Sequence, residues 1–298
     1  MPNLKEFNTR LGVMNGMRRM TSTMQMVAAS HVHRMQRNIE APSAFGTALM
    51  ATLRDARNIP MFAAHRFFNS APALPPNPPP GTKAPKALVL VMGSDRGLCG
   101  PFNHGIAAST RRWAEEQQEH RALDIETLFI GQKGARLLSR DMPSHEATQT
   151  FSAHANITDM LPLADTVLKR FMAGETDEVW ISGSRFVNTL RHDTKVRQVL
   201  PFPEREPPGA TQPAPPLLEP EDIRVLEGLI QQWIQYCLFV EQQHRAINEH
   251  AARMIAMSSA TDNLDTMKKD LKLRRNRARQ AAITNELMEI IAGAEALK

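Results

Sequence analysis

The stretch of this sequence best suited to chemistry is a glycine-rich turn, Gly93–Gly100, which reads GSDRGLCG. It follows an apolar run and precedes a helix-like stretch, a position at which the amides of a helix N-terminus often bind phosphate. A P-loop needs Lys and then Ser or Thr after its last glycine, whereas Pro101 and Phe102 follow here. The G-x-G-x-x-G dinucleotide pattern lacks its first glycine. We therefore interpret Gly97 and Gly100 as residues of a tight strand-to-helix turn.

Other residue types that could support catalysis or metal binding lack the spacing for it. Ser94, Asp95 and Cys99 lie close together in the turn, but the sequence places no His or further acid to complete a nucleophile. The histidines on or near predicted helices show neither HExxH nor Cys-His metal spacing; they are His31, His33, His104, His244 and His250. We expect no catalytic residue, no metal and no cofactor.

The largest predicted element is a helix over residues 222–298, which contains no Pro. Apolar or small residues recur in it at steps of three and four, the spacing that directs one stripe of a helix toward a partner helix. The stripe comprises Ile223, Leu226, Ile230, Trp233, Cys237 and Val240, is interrupted by His244, and resumes at Ile247, Ala251 and Met254. Such a helix would be about 110 Å long, so we expect most of it to project beyond a globular body.

A second long helix is predicted over residues 3–57, with Pro42 kinking it or ending its first part. Its Met-rich stripe cannot be buried by the helix alone, so we expect it to pair with the C-terminal helix as an antiparallel coiled coil. An ordinary helical bundle is the alternative. The paired segments, 1–57 and 221–298, would form a shaft.

Two surfaces of the C-terminal helix suggest partners. Seven Lys and Arg against one Asp in residues 268–279 indicate an acidic partner surface, with a nucleic acid as the alternative. The last turns are almost free of charge, unlike a solvated tail. We infer that this tip is enclosed by another protein; its apolar residues include Ile290, Ile291, Ala294 and Leu297.

Residues 86–200 change character, because strands such as KALVLVM alternate with helices. This pattern predicts an α/β layer with a largely parallel, Rossmann-like sheet. A helix is predicted over residues 158–173, with Thr158 as its N-cap. Pro-rich stretches flank the layer: 70–85 is predicted to be an insertion or linker, and 201–220 a connector. The fold class is α/β plus a long antiparallel coiled coil.

Four motifs resemble the gamma subunits of F-type ATP synthases. MTSTMQMVAAS (Met20–Ser30) is similar to the family's ITKAMKMVAAS, and SDRGLCGPFN (Ser94–Asn103) to its SDRGLCGGFN. EHAARMIAMSSATDN (Glu249–Asn263) and NRARQAAITNELMEIIAGAEAL (Asn276–Leu297) resemble the family's late helix. The resemblance extends over nearly the whole chain apart from the Pro-rich stretches.

The resemblance implies a non-catalytic rotor subunit of the central stalk, which couples ion flow to ATP synthesis or hydrolysis. Its partners would be the alpha and beta subunits around the coiled coil, and the epsilon subunit and membrane c-ring beside the α/β domain. It would lie at the cytoplasmic face of a bacterial inner membrane as a peripheral protein without a transmembrane segment.

The resemblance also implies roles for individual residues. Arg253, Gln280 and Thr284 match positions that contact the beta subunit, and the tip residues Ile290, Ile291, Ala294 and Leu297 would form a bearing. The segment LLEPED resembles the part near the c-ring; it comprises Leu217, Leu218, Glu219, Pro220, Glu221 and Asp222.

The sequence departs from the family's pattern in ways that suggest a divergent bacterial member. Ser22 and Gln25 replace two lysines, and Pro101 replaces a glycine. Two functions of other classes are the alternatives: an α/β nucleotide-dependent enzyme with a coiled-coil arm, and a basic coiled-coil nucleic-acid binder.

Overall fold

A computed structural model of the chain describes residues 4–37, 39, 42–69, 84–139, 142, 148–203 and 222–296. By their internal contacts they divide into two compact units. The first combines Met1–Ser30 with Arg253–Lys298, and the second comprises His31–Ala252.

The first predicted helix is two helices, because α1 ends at Gln36 and α2 begins at Pro42. Proline fits the first position of a helix, where the missing N–H would have had no helical partner. The helices are α1 Leu4–Gln36, α2 Pro42–Arg57, α3 Pro60–Ala63, α4 Phe102–Arg121, α5 Gln132–Leu138, α6 Leu161–Met172 and α7 Ile223–Ala296. The predicted single long C-terminal helix is confirmed as α7, which is 74 residues long.

In the first unit, α1 pairs with the C-terminal part of α7 in the antiparallel sense, as predicted. Phe7 and Leu11 pack with Leu271 in a small buried cluster. Further along α1, Thr21 Oγ1 lies 2.8 Å from Thr261 Oγ1. Because residue numbers rise along α1 while those of their partners fall along α7, the two helices run in opposite directions.

In the second unit, four strands form one sheet in the order β2-β1-β3-β4. They are β1 Lys86–Met92, β2 Asp124–Ile130, β3 Glu178–Phe186 and β4 His192–Leu200. Strand β1 pairs in parallel with both β2 and β3, and β4 is an antiparallel edge strand. The prediction of a largely parallel sheet with helices between its strands is therefore confirmed.

Strand β1 is buried on both faces, which explains its uninterrupted run of apolar residues. Leu88 and Leu90 point into a core that also contains residues of α2, α6 and α7. Val89 and Val91 point into a second core with α4 and α5. The alternation of side chains along a strand thus places helices on both sides of the sheet.

The stripe predicted on the N-terminal part of α7 lies in a core formed with the sheet and with helices α2 and α6. Leu226, Ile230 and Trp233 are buried in the core shared with β1 and α6. The predicted helix partner is present here as α2, whose Phe45 ring lies 5.8 Å from the Tyr236 ring of α7, but the sheet covers this face as well. Heptad-like spacing identifies a buried face but not everything that covers it.

The start of the helical segment before β3 also differs from the prediction. A single 3-10 turn, Ile157–Met160, precedes α6. Asn156 is the cap residue, and its backbone N–H donates to Asp159 Oδ2 at 2.8 Å. Thr158 therefore lies inside the turn and is not the N-cap.

The carboxyl end of β1 is held by close packing of glycines. A Cβ atom added to Gly93 would lie 2.6 Å from Gly134 Cα, which belongs to the backbone of α5. Gly131, just before α5, has a φ of 97° and lies against the Gly93 carbonyl. The end of β1 and the start of α5 can approach this closely only because neither backbone carries a side chain there.

We predict that Gly93→Ala destabilises the second unit by about 1–3 kcal/mol, because the new methyl group meets backbone that cannot move aside cheaply. The measurement is urea unfolding followed by tryptophan fluorescence, since Trp113, Trp180 and Trp233 all lie in this unit. Gly97→Ala is the matched control from the same turn, because a Cβ there would meet no described atom within 4 Å. Equal unfolding midpoints for the two variants would contradict the prediction.

Candidate functional site

The glycine-rich turn after β1 uses its own polar groups internally. The Ser94 N–H donates to Asn103 Oδ1 at 2.9 Å, and Asn103 Nδ2 donates to Ser94 Oγ at 2.7 Å. Gly100 has a φ of 53° and Leu98 a φ of 63°, so the turn has a left-handed bend before α4. Because Ser94, Asn103 and Cys99 are all buried here, the geometry is that of a packed turn.

The crevice where a doubly wound sheet would bind a ligand is filled by Arg245 of α7. Such ligands bind at the carboxyl ends of the strands, where the strand order reverses, which here is between β1 and β3. Arg245 Nη1 donates to the Gly93 carbonyl at 2.9 Å, and Nη2 donates to the Phe151 carbonyl at 3.0 Å. The nucleotide-dependent enzyme considered as an alternative would need this space.

Arg245 belongs to a band of polar residues on α7, which we call the collar: Glu241, Gln242, Gln243, His244, Arg245 and Asn248. Gln242 Nε2 donates to the Ser152 carbonyl at 2.8 Å, and Gln243 Nε2 to the Ala155 carbonyl at 3.2 Å. Each of the six side chains contacts the sheet or the segment before α6. The collar is thus the polar part of the α7 interface with the α/β layer.

His244 explains the interruption of the apolar stripe. Burial, with Arg197 and Arg185 as further causes, lowers the pKa of His244 to about 4. The imidazole is therefore neutral near pH 7, and its Nδ1 accepts the Phe186 N–H at 3.3 Å. This bond satisfies a backbone donor at the end of β3.

The first unit is strongly basic. Its residues 1–30 and 253–298 contain 13 Lys and Arg against 7 Asp and Glu, a net charge of +6, whereas the whole chain carries +5. Its basic run over residues 268–279 is mostly exposed. Arg274 pairs with Asp270 at 2.9 Å, a contact between exposed side chains. Such a surface favours an acidic partner.

An apolar groove lies between α1 and α7 within this unit, with a volume of about 440 Å³. Met17 and Met267 line it and are 53% and 54% exposed. Methionine side chains are flexible and polarisable, and they are common at surfaces that adapt to more than one partner conformation. The groove and the basic run together have the chemistry of a protein-contact surface.

The residues carried over for beta-subunit contact all lie on α7 in the first unit, but the structure does not bring them into one cluster. Arg253 is half-buried, whereas Gln280 and Thr284 are exposed. The Thr284 hydroxyl donates to the Gln280 carbonyl at 3.0 Å. Gln280 and Thr284 share one face, and Arg253 is about 40 Å away along the helix.

The tip is exposed in the chain itself. Ile290 is 67% and Ile291 55% accessible to solvent. Ala294 belongs to α7, but its side chain lies outside the described residues, as does all of Leu297. Isolated isoleucines on a surface need no explanation, but this group of exposed apolar residues in the final turns of a helix indicates a contact surface.

The six residues expected near the c-ring lie mainly outside the described part of the chain. Leu217, Leu218, Glu219, Pro220 and Glu221 fall there. Asp222 precedes α7, and its Oδ1 accepts the Arg224 N–H at 2.9 Å. The hydrogen bonds from Arg224 lower the pKa of Asp222, so this carboxylate is charged at the start of the helix.

Sequence reasoning missed Arg245 and Gly93. Arg245 directly follows His244, so two polar residues interrupt the α7 stripe together. That adjacency was the available signal, because a polar pair within a buried stripe implies partners on another element. Gly93 gave no local signal, because its tight neighbour Gly134 is distant in sequence.

Across the described residues, no group of three or more His, Cys, Asp or Glu side chains is arranged to hold a metal ion. No helix in that part of the chain combines the length and apolarity needed to cross a membrane.

Comparison with known proteins identifies the family. The family model described as ATP synthase matches residues 3–297. The ATP synthase gamma chain of Roseobacter denitrificans is 34% identical over 306 aligned positions, and that of Geobacter metallireducens is 32% identical over 298. Both alignments cover the whole of each chain.

Solved structures share the fold. A chain of the mitochondrial ATP synthase of Euglena gracilis, from an OSCP/F1/c-ring structure, aligns with a TM-score of 0.65 at 15% identity, over 99% of this chain and 94% of that one. A chain of the central stalk/c-ring structure from Tetrahymena thermophila aligns with a TM-score of 0.58 at 20% identity, over 81% of this chain and 99% of that one. With a full-length family match and relatives above 30% identity, this chain belongs to the gamma chain family of ATP synthases.

Proposed function

We propose that the chain is the rotor subunit of the central stalk in an F-type ATP synthase, coupling ion flow to ATP synthesis or hydrolysis. The observation that carries the proposal is the full-length match to gamma chains in a molecule whose terminal helices pair antiparallel. In this function the chain performs no chemistry itself. Its contacts differ around its circumference, so each surrounding catalytic subunit is stabilised in a different conformation, and turning exchanges those conformations.

The surfaces of the chain suit particular partners. We propose that alpha and beta subunits surround the paired helices, and that the epsilon subunit and the c-ring contact the α/β unit and the segment that includes Asp222. The exposed basic run over residues 268–279 would face acidic groups on the ring. The complex would hold the chain at the cytoplasmic face of a bacterial inner membrane as a peripheral subunit.

The methionine-lined groove suits a contact that must re-form against several subunits in turn. A straight, flexible side chain changes rotamer at little cost, whereas a β-branched one in a helix is almost fixed at χ1. Met17 and Met267 can therefore follow different partner shapes during a turn. Arg253 would add a more directional contact, since a guanidinium binds a carboxylate through two parallel hydrogen bonds.

The tip would act as a bearing. A bearing must lack deep energy minima as it turns, and apolar contact is non-directional. Ile290 and Ile291 supply such contact and are exposed in the chain itself. An alpha/beta sleeve around them would remove their apolar surface from water without fixing a rotational angle.

The experiment that tests the function compares the isolated chain with the assembled complex. We expect no ATP turnover by the purified chain above a preparation that lacks it. We expect ATP-driven ion pumping by membranes that contain the alpha, beta, epsilon and c-ring subunits only when the chain is present. Turnover by the chain alone, or pumping without it, would exclude the proposed role.

We predict that Arg253→Ala and Gln280→Ala each slow ATP turnover by the assembled complex, because each loses a polar contact worth about 1–3 kcal/mol to a partner. The isolated Gln280→Ala variant should unfold at the same urea concentration as the unchanged chain, because the Gln280 side chain is exposed, and this separates contact from folding. Gln243→Ala is the comparison variant. The Gln243 side chain bonds within the chain, so its loss should lower the unfolding midpoint rather than remove a contact with a partner. Unchanged turnover in both contact variants would show that these residues do not contact the ring.

We predict that placing charged residues at the tip impairs assembly more than deleting the tip does. Deleting residues 291–298 should weaken assembly but leave some coupled hydrolysis, whereas Ile290→Asp with Ile291→Asp should prevent assembly, because it forces unpaired charges into an apolar sleeve. Ile290→Gln with Ile291→Gln is the uncharged control and should fall between them. The measurement is the yield of complex and its ion-coupled ATPase activity. Normal assembly of the Asp variant would mean that the tip is solvated in the complex.

A further inference from the structure

We propose that Arg245 is a positioning residue that fixes the rotational angle of α7 relative to the α/β layer. Torque applied along α7 then reaches the sheet without slippage. The proposal rests on the proposed rotor function, because only a rotor must transmit torque between one helix and the layer packed around it. It concerns contacts within the second unit alone.

Arg245 joins α7 to separate parts of the layer through nearly all of its donors. Nη1 and Nη2 bond the carbonyls of Gly93, at the end of β1, and Phe151, in the segment before α6. Nε donates to Gln242 Oε1 at 2.7 Å, which fixes the guanidinium from its own helix. Asp95 Oδ2 lies 3.3 Å and Glu249 Oε2 3.7 Å from Nη1. The side chain is only 2% exposed, so water cannot replace these bonds.

Directional bonds resist rotation in a way that apolar packing does not. The preceding part of α7 is held mainly by residues such as Leu226 and Ile230 in an apolar core, and hydrogen bonds such as that from Trp233 Nε1 to the Val199 carbonyl are more widely spaced there than in the collar. A hydrogen bond weakens steeply when its angle or length departs from the optimum. A side chain about 5–6 Å from a helix axis moves about 2 Å when the helix turns by about 20°. Such a movement would break both carbonyl bonds of Arg245.

The rest of the collar opposes rotation in both senses. Successive helix residues are about 100° apart around the axis, so Gln242, Gln243, His244 and Arg245 point in four different directions. Their partners are the Ser152 carbonyl, the Ala155 carbonyl, the Phe186 N–H and the Gly93 carbonyl. Asn248 adds a bond to Ser184. A turn in either direction stretches bonds on every side of the helix.

The polar composition of the collar is costly for a purely structural contact. Within the described part of the chain, Glu241 Oε1 and Asn248 Oδ1 are buried without a hydrogen-bond partner. A buried ionic or polar group is often matched or exceeded in stability by apolar residues of similar volume. Folding stability therefore does not explain the polar composition of the collar, whereas a role in fixing the rotational angle of α7 does.

The test uses the assembled complex in membranes and compares Arg245→Met with the unchanged chain. Two quantities are measured: ATP hydrolysis when the membrane is made permeable to the coupling ion, and the largest ion gradient that ATP-driven pumping sustains. Slippage of α7 within the layer would hardly change ATP hydrolysis in permeable membranes, where no gradient opposes rotation. It would lower the ion gradient that pumping can sustain. We expect hydrolysis without load to remain within about two-fold, and the sustained gradient to fall by about five-fold or more, the factor equivalent to losing one net hydrogen bond. Arg245→Lys, which keeps the charge but not the fork, should recover part of the gradient.

Arg170→Met is the matched control for loss of a buried arginine. Arg170 lies on α6, its side chain is 16% exposed, and it pairs with Glu126 of β2 at 2.5 Å, so its loss removes an ion pair between α6 and the sheet of the same unit. We expect this variant to lower the unfolding midpoint while sustaining a normal gradient. If Arg245→Met sustains a normal gradient, or if Arg170→Met reduces it equally, the proposed role of Arg245 is wrong.

Failure of Arg245→Met to fold would move the test to Gln242→Met, which removes the bond that fixes the Arg245 guanidinium and keeps the charge. Gln242→Met should sustain a reduced gradient, and a normal one would overturn the proposal. Failure of the unchanged chain to support pumping at all is a different result, because it would reject the rotor function rather than the role of Arg245.

Discussion

The structure depends on one constraint: a single helix of 74 residues must satisfy several environments with one continuous backbone. Part of α7 is buried against the sheet at Leu226 and Ile230, a later part packs with α1 at Leu271, and Ile290 near its end is exposed. Helical hydrogen bonds keep the backbone satisfied along the whole length, so the side chains alone decide what each part contacts. Because the final apolar turns are exposed in the described chain, we propose that binding to another protein covers and stabilises them.

The chemistry along α7 changes in the order that a rotor requires. The N-terminal part is mainly apolar and contributes to the core of the layer, with single hydrogen bonds such as that from Trp233 Nε1 to the Val199 carbonyl. The collar around Arg245 is polar and directional. The basic run over residues 268–279 offers long-range attraction, which aligns partners without a fixed geometry. The final turns of α7, which form the tip, are apolar again. One helix thus uses directional bonds where slippage must be prevented and non-directional contact where turning must be easy.

Local patterns predicted the elements well and their partners poorly. The run KALVLVM identified β1 because a strand buried on both faces must be apolar throughout, and the absence of Pro predicted α7. The three- and four-residue spacing of apolar residues along α7 did not reveal that Leu226 faces a sheet, because a helix stripe has the same period whatever covers it. The partners of Arg245 and Gly93 could not be identified because Phe151 and Gly134 are distant in sequence. The carried-over contacts such as Gln280 came only from resemblance, since the groups they would meet belong to other chains.

The distribution of charge accounts for how the chain departs from its family. Ser22 and Gln25 stand where the family has lysines, which removes two positive charges from α1. The unit that contains them still carries +6, so the remainder of the chain carries −1. Charges within about 10 Å of one another act together at moderate salt, so attraction at each level of the paired helices depends on the charges near that level. The exposed position of the basic run also means that this attraction is screened as salt rises. In the complex that we propose, Ser22 and Gln25 would reduce attraction at their own level of α1, and the basic run over residues 268–279 would supply it elsewhere on α7.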